Sequence, residues 1–260
     1  MRASGITNAY NETVMRVAER APALGPAMRQ QQAYWNTWNA STREQRLSEI
    51  SLDQRKVLVD WLRETGRTDL QIIEVGCGAG WFCPTLKQFG HVTAVDLSNE
   101  VLARARRRVP DVDFIAGDVM DLDFRDGAFD VIVVIETLAH IEDQAAFIAK
   151  LARMLRPGGL LMLASQNRTV LERYNAPEPL GPGVTRHWLS ALEHRALLVD
   201  AFDIREMRTI TPTAKKGVLR LFAGRKATRF WRAISGRLIE RVLERAGLGR
   251  TIMILAQRPD

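Results

Sequence analysis

The sequence predicts a doubly wound α/β domain around a mostly parallel sheet, and three observations carry that prediction. Residues 71–80, Gln-Ile-Ile-Glu-Val-Gly-Cys-Gly-Ala-Gly, read as a short buried strand running straight into a glycine loop. Two further strand-like runs, 91–96 and 112–118, follow at intervals of roughly 20 residues, each ending in an acid, Asp96 and Asp118. Residues 129–135 are then almost continuously apolar, as a central parallel strand buried on both faces requires.

The remaining elements fall between these strands. Tyr34 and Trp38 lie four residues apart and share a helical face, with Trp35 between them. Residues 52–65 carry Val57, Leu58, Trp61 and Leu62 at helical spacing, a helix feeding the first strand. Ser98 is the expected N-cap of a helix over 100–109. A helix over 145–155 is expected to stop at Pro157 and Gly158, before a fifth strand at 160–164. Residues 202–211 and 251–257 supply the last two strands. The Pro/Gly-rich stretch 176–183 leads to Arg186-His187-Trp188, read as the opening of a lid helix. The chain therefore divides into a helical cap (1–50), a core (51–213), a helical insertion (214–250) and the last core strand (251–260).

At 260 residues the chain is long enough for one sizeable core. Its two cysteines, Cys77 and Cys83, are spaced unlike a zinc site, which argues against disulfides and structural metal; no metal-binding constellation stands out. No stretch approaches the roughly 20 apolar residues of a membrane span, and the N-terminus lacks a signal-like core, so a cytoplasmic protein is expected.

The charge is unevenly placed. Residues 214–250 hold eleven Lys or Arg and two acids, a net of +9 in a chain whose total is +7, leaving −2 elsewhere. Apolar residues recur there at helical spacing, including Val218, Phe222, Phe230, Ile234, Leu238 and Val242. Such a segment can pack as a lid or in a homo-oligomer, lie at an anionic membrane surface or take a lipid-like substrate, or bind nucleic acid; nucleic acid ranks last because no reading module is recognisable.

The glycine loop admits two ligand readings. A dinucleotide fingerprint needs a third glycine where this chain has Trp81. Glu74 also brings a carboxylate to the loop, which repels a pyrophosphate and attracts a cation. Taken together, Glu74-x-Gly76-x-Gly78-x-Gly80, Val95-Asp96-Leu97-Ser98, Gly117-Asp118-Val119, Phe129-Asp130-Val131-Ile132 and Leu155-Arg-Pro-Gly-Gly159 resemble the ordered motif set of class I S-adenosylmethionine-dependent methyltransferases. The resemblance spans roughly residues 30–210 and is nearest to the small-molecule branch that includes ubiquinone-biosynthesis methyltransferases.

The resemblance implies a seven-stranded Rossmann-like sheet whose last two strands form an antiparallel pair at one side, with S-adenosylmethionine as cofactor and S-adenosylhomocysteine as product. It assigns Gly76, Gly78 and Gly80 to the amino acid portion of the cofactor, Asp96 to the ribose hydroxyls, and Asp118 with Val119 to the adenine. Glu74 stands behind the loop, fixing it or sensing the cofactor's positive charge. Cys77, Leu97, Ile135 and Glu136 complete the cofactor set, while Tyr34, Trp35 and Trp38 either cap it or simply pack on the sheet. Arg43 and Arg46 are candidates for the cofactor carboxylate. Substrate is expected beyond the fourth and fifth strands, near Thr137 and His140 and near Ser165, Gln166, Asn167 and Arg168. His140 is the candidate general base, or else a loop-orienting residue, and His187 is a second catalytic candidate lining the lid. The expected reaction is methyl transfer to oxygen of a small or lipid-like acceptor. A catalytically silent binding module, or an RNA or protein methyltransferase using the basic segment, is the alternative.

Overall fold

The computed structural model describes residue 17 and residues 22–43, 47–176, 179–181 and 183–260. Seven strands form one sheet: β1 (Leu70–Val75), β2 (Gly90–Asp96), β3 (Asp113–Ala116), β4 (Phe129–Ile135), β5 (Leu155–Gln166), β6 (Asp203–Ile210) and β7 (Thr251–Gln257). Their order is β3-β2-β1-β4-β5-β7-β6. The first five are parallel, and β7 runs antiparallel between β5 and β6. The order reverses between β1 and β4, which opens a crevice at the carboxyl ends of these two strands, the usual ligand position in open α/β sheets.

Among the described residues ten α-helices of known extent accompany the sheet: α1 (Pro26–Trp38), α2 (Glu49–Glu64), α3 (Cys83–Leu86), α4 (Asn99–Arg108), α5 (Gln144–Met154), α6 (Arg168–Tyr174), α7 (Ala191–Leu198), α8 (Arg220–Ala223), α9 (Arg225–Ser235) and α10 (Leu238–Arg245). Because side chains alternate along a strand, each central strand feeds two cores. Ile73, Val75, Ile132 and Leu161 pack with Phe147 and Leu151 of α5. Ile72, Val131, Val133 and Met162 pack on the other face with Leu58, Trp61 and Leu62 of α2. Ser48 caps α2 by accepting from Ser51 N at 3.1 Å, and Trp61 Nε1 donates to Glu206 at 2.9 Å, tying the helix to β6. At the far end of the sheet, buried Asp130 accepts from Arg67 Nη1 and Gln71 N, both at 2.7 Å, and pairs with Arg156, which locks β1, β4 and the start of β5 together.

Three local expectations are corrected. Helix α5 ends at Met154 and the chain enters β5 directly, so Pro157 and Gly158 lie within that strand. Ser98 occupies the N-cap position of α4 without capping it; its hydroxyl instead accepts from Asn39 Nδ2 at 3.3 Å. No helix opens at Trp188: the chain is extended there, Leu189 bridges to Asn167, and α7 starts after Ser190, whose capping box with Glu193 sets the boundary.

Glu74, on β1, is 1% exposed. Its Oε2 accepts from the Cys83 thiol of α3 at 3.1 Å, so the residue sits beneath the glycine loop. Burial pushes the carboxyl from its ordinary 4.5 up to about 8, and it is protonated and neutral near pH 7. The neutral acid does not act there as the counter-charge expected from the sequence. The folded chain holds a proton that the unfolded chain releases above its ordinary value, so stability falls as pH rises from about 4.5 to about 8. Glu74→Gln keeps an acceptor for Cys83 and cannot ionise. Its thermal midpoint should exceed that of the parent by about 3 °C or more near pH 8, with the gap closing toward about pH 5; parallel pH profiles in a calorimeter would refute the buried proton.

Candidate functional site

A cavity of about 720 Å³ opens over the carboxyl ends of β1, β2, β4 and β5. Its floor is the glycine loop, residues 75–79, which folds back so that Gly76 N and Cys77 N both donate to Val95 O of β2, at 2.8 and 3.1 Å. Gly76 and Gly78 have φ of 74° and 53°. A Cβ on Gly76 would fall 2.0 Å from Thr137 Oγ1, and one on Gly78 2.8 Å from Asn39 Oδ1. Glycine is therefore demanded here by handedness and by neighbouring side chains.

Asp96 closes the end of β2. Its Oδ2 accepts from Gly78 N at 2.6 Å and its Oδ1 from Ser98 N at 2.8 Å. A carboxylate oxygen has room for about two donors, so with these two N–H groups and the Ser98 side chain Asp96 still keeps acceptor capacity on a residue that lines the cavity. Burial raises its pKa, and the two N–H groups and the Ser98 side chain oppose the rise. Asp118, beyond β3, also lines the cavity; its Oδ1 accepts from Met120 N at 2.9 Å, and burial raises its pKa as well. Leu97, Val119 and Ile135 supply apolar wall.

Helix α1 forms the roof. Gln32 Nε2 donates to Leu97 O at 2.8 Å and Asn36 Nδ2 to Asn99 Oδ1 at 3.1 Å, which pins the helix over β2 and α4. Tyr34, Trp35 and Trp38 all face the cavity. Their rings meet edge to face, at 4.9 Å for Tyr34–Trp35 and 5.7 Å for Trp35–Trp38. Trp35 continues the contact to His140, with ring centroids 4.6 Å apart.

The opposite wall carries His140. Its Nδ1 lies 2.9 Å from Thr185 O. A carbonyl can only accept, so Nδ1 carries the hydrogen and Nε2 is the ring's basic nitrogen. Burial lowers the His140 pKa, and the Arg186 charge adds to that, against the Thr185 bond. The imidazole is accordingly neutral near pH 7 and available as a base. Glu136, with φ of 58°, holds a left-handed backbone that costs about 1 kcal/mol or more. It is fixed by Gln54 Nε2 at 2.7 Å and Thr251 Oγ1 at 3.4 Å, both on Oε1.

Several predicted residues fall outside this cavity. Glu74 and Gly80 lie behind the loop, Glu74 buried against Cys83 and Gly80 packed toward Phe114 and Cys83. His187 is exposed; its backbone N donates to Ala139 O at 2.7 Å, and extended alternation sends Arg186 and Trp188 to the cavity in its place. Cys77 and Thr137 do line the cavity. Of the four residues expected beyond the fifth strand, Ser165 and Gln166 lie within β5 and only Gln166 reaches the cavity, whereas Asn167 is buried on Gly247 O and Gly249 O and Arg168 pairs with Glu193. The Arg43 side chain and Arg46 lie outside the described residues. Among the described residues no group of three or more acids, histidines or cysteines is placed to hold a metal ion.

Sequence reasoning missed Arg250, Gln54 and Met120. Arg250 lines the cavity from the start of β7, which runs antiparallel to β5 and so begins where β5 ends. Gln54 left one usable signal, a polar residue on the otherwise apolar face of α2.

Residues 73–163 match the family described as "Methyltransferase domain". A Mycobacterium tuberculosis protein named a probable S-adenosylmethionine-dependent methyltransferase is 34% identical over 135 residues, 52% of this chain and 48% of that protein. The ubiquinone biosynthesis O-methyltransferase of Xanthomonas oryzae pv. oryzae is 37% identical over 114 residues, 40% of this chain and 48% of that enzyme. The chain thus spans about half the length of the curated relatives it matches. Among solved structures, an S-adenosylmethionine-dependent methyltransferase from Mesorhizobium loti superposes with a TM-score of 0.57 at 22% identity, covering 77% of this chain and 98% of that one. The loop, the two acids and the sheet order described above are therefore those of a Rossmann-like methyltransferase fold, and residues 73–163 match the S-adenosylmethionine-dependent methyltransferases through that domain.

Proposed function

We propose that the chain transfers a methyl group from S-adenosylmethionine to an oxygen of a small or lipid-like acceptor. The observation that carries this reading is one cavity lined by both a strand-end carboxylate with acceptor capacity to spare and a neutral histidine with its basic nitrogen defined.

The residues fit the cofactor. Asp96 keeps acceptor capacity suited to a ribose hydroxyl, and Asp118 offers an acceptor for an amino group. The loop 76–79 and the roof residues Tyr34, Trp35 and Trp38 would enclose the rest. When bound, the cofactor supplies a methyl group already activated by its positive sulfur. The chain's share is to position the acceptor, exclude water under α1 and receive the acceptor's proton at His140 Nε2. A hydroxyl is a weak nucleophile until its proton is drawn off, and the neutral imidazole of His140 can receive that proton. The similarity to a ubiquinone biosynthesis O-methyltransferase supports an oxygen acceptor.

The acceptor end has its own character. Arg250 has no ion pair among the described residues, and Gln166, 9% exposed, has a buried Oε1 without a hydrogen-bond partner. Both line the cavity, as does Arg186, whose guanidinium lies 4.8 Å from the centre of the Trp188 ring. This wall suits an acceptor with a hydroxyl donor beside an anionic group.

Three outcomes test the reading. Asp96→Ala should weaken S-adenosylhomocysteine binding on the order of a hundredfold in calorimetry, with Asp96→Asn between it and the parent; unchanged affinity refutes the ribose assignment. Given a methyl acceptor, His140→Ala should lower kcat on the order of a hundredfold while cofactor affinity holds. The parent's acid limb, set by His140 below its ordinary 6.5, should vanish in that variant, and an unaltered profile would return His140 to a purely structural role. Arg250→Ala should raise KM about tenfold for acceptors with a carboxylate or phosphate and leave uncharged analogues unaffected; equal effects on both would place Arg250 outside acceptor selection.

A further inference from the structure

The basic segment between β6 and β7 has an inner and an outer face. Inward, Leu219 and Ala223 pack with Tyr174, Leu243 and Leu248. Outward, Val218, Leu221, Phe230, Ile234, Leu238 and Val242 are all more than half exposed, up to 72% at Val218. On α9 the chemistry divides at 100° per residue. Phe230 and Ile234 share one side with Ala227 and Trp231, Lys226 lies at the border of that side next to Phe230, and Arg225, Arg229 and Arg232 occupy the opposite side. Trp231 is held in place: its Nε1 donates to Leu221 O at 3.0 Å, and its ring stacks on Phe222 with centroids 6.0 Å apart.

The charge of this surface is not neutralised from within. Both acids of the segment are taken up by its own arginines, Glu240 by Arg232 and Arg237, and Glu244 by Arg237. Lys215, Lys216, Arg220, Arg225, Lys226 and Arg229 are exposed and make no ion pair among the described residues. An apolar ridge fringed by unpaired cations is badly matched to water, and equally to a second copy of itself, which would bring two segments of net +9 face to face. It matches an interface that is apolar beneath and anionic at its rim.

We infer that α8, α9 and α10 form a docking surface for anionic phospholipid bilayers, with Phe230, Ile234, Leu238 and Val242 entering the acyl boundary and Arg225, Lys226 and Arg229 meeting lipid phosphates. No helix among the described residues is long and apolar enough to cross a membrane, so the attachment is peripheral and reversible. The inference does not depend on the methyl-transfer reading, since the surface lies outside the cavity.

Flotation of the full chain with vesicles of phosphatidylcholine alone, and of phosphatidylcholine mixed with phosphatidylglycerol, tests it. Binding is expected only to the mixed vesicles and should fall with added salt. Arg225→Ser, Lys226→Ser and Arg229→Ser combined should weaken it about a hundredfold. Phe230→Ser with Ile234→Ser should weaken it at least tenfold, while circular dichroism and S-adenosylhomocysteine binding stay at parental values in both variants. Equal binding to both vesicle types, or binding indifferent to these changes, overturns the inference. So does a stable dimer in sedimentation that Phe230→Ser dissociates, or retention on RNA without retention on mixed vesicles.

Discussion

The site depends on one carboxylate. Asp96 accepts from Gly78 N with one oxygen and from Ser98 N with the other, and thereby ties the glycine loop after β1 to the turn that starts α4. Two consecutive N–H groups of the loop, those of Gly76 and Cys77, already converge on Val95 O, so the loop is anchored to β2 at both the strand's penultimate carbonyl and its terminal side chain. The positive φ values at Gly76 and Gly78 follow from this closure. A residue with a Cβ would have to break the handedness and displace Thr137 or Asn39 as well. The same side chain that presents acceptor positions to the cavity is thus the clamp that shapes the cavity floor. Its burial cost is offset by charge-assisted bonds to backbone, which makes the acid structural before it is functional.

The roof follows from the clamp. Ser98, fixed through Asp96, accepts from Asn39, whose Nδ2 also donates to Trp35 O, and the adjacent Leu97 carbonyl takes Gln32. Helix α1 is therefore registered against the β2 terminus by polar contacts, and its aromatic face is turned into the cavity. Trp35 then touches His140, whose Nδ1 is fixed by Thr185 in the extended segment that also delivers Arg186 and Trp188. One line of contacts runs from Asp96 through the roof helix to His140, the histidine of the proposed proton transfer.

The frame of the molecule was legible because periodicity and turn chemistry are local. The apolar run 129–135, the acid-ended strands and the alternation of helix and strand all survive in the structure. What was not legible concerns direction and burial. The sequence places His187 and Trp188 side by side, and only the extended backbone decides that Trp188 faces inward and His187 outward. Glu74 is expected behind the loop and lies there, against Cys83, but the burial that keeps it neutral is not written in the local sequence. Arg250 was counted with the basic segment, because the antiparallel return of β7, which brings its first residues beside the end of β5, is a property of the whole sheet.

That return also joins the two unusual features of the chain. The basic helices hang from a stem in which Arg250 N donates to Thr211 O, Thr209 Oγ1 to Glu244 O and Gly249 N to Thr209 Oγ1. Asn167, at the end of β5, donates to both Gly247 O and Gly249 O, and so nails the stem to the strand whose last residue, Gln166, lines the cavity. Asp53 of α2 accepts from Thr211 Oγ1 and pairs with Arg237, bracing the stem from the other side. These bonds join the stem of α8–α10 to the end of β5, with Arg250 as its last residue before β7. Under the two proposals above, a lipid-like acceptor leaving a bilayer would meet the cavity beside the surface that holds the protein there, and the arginine awaiting its anionic group belongs to the same stem.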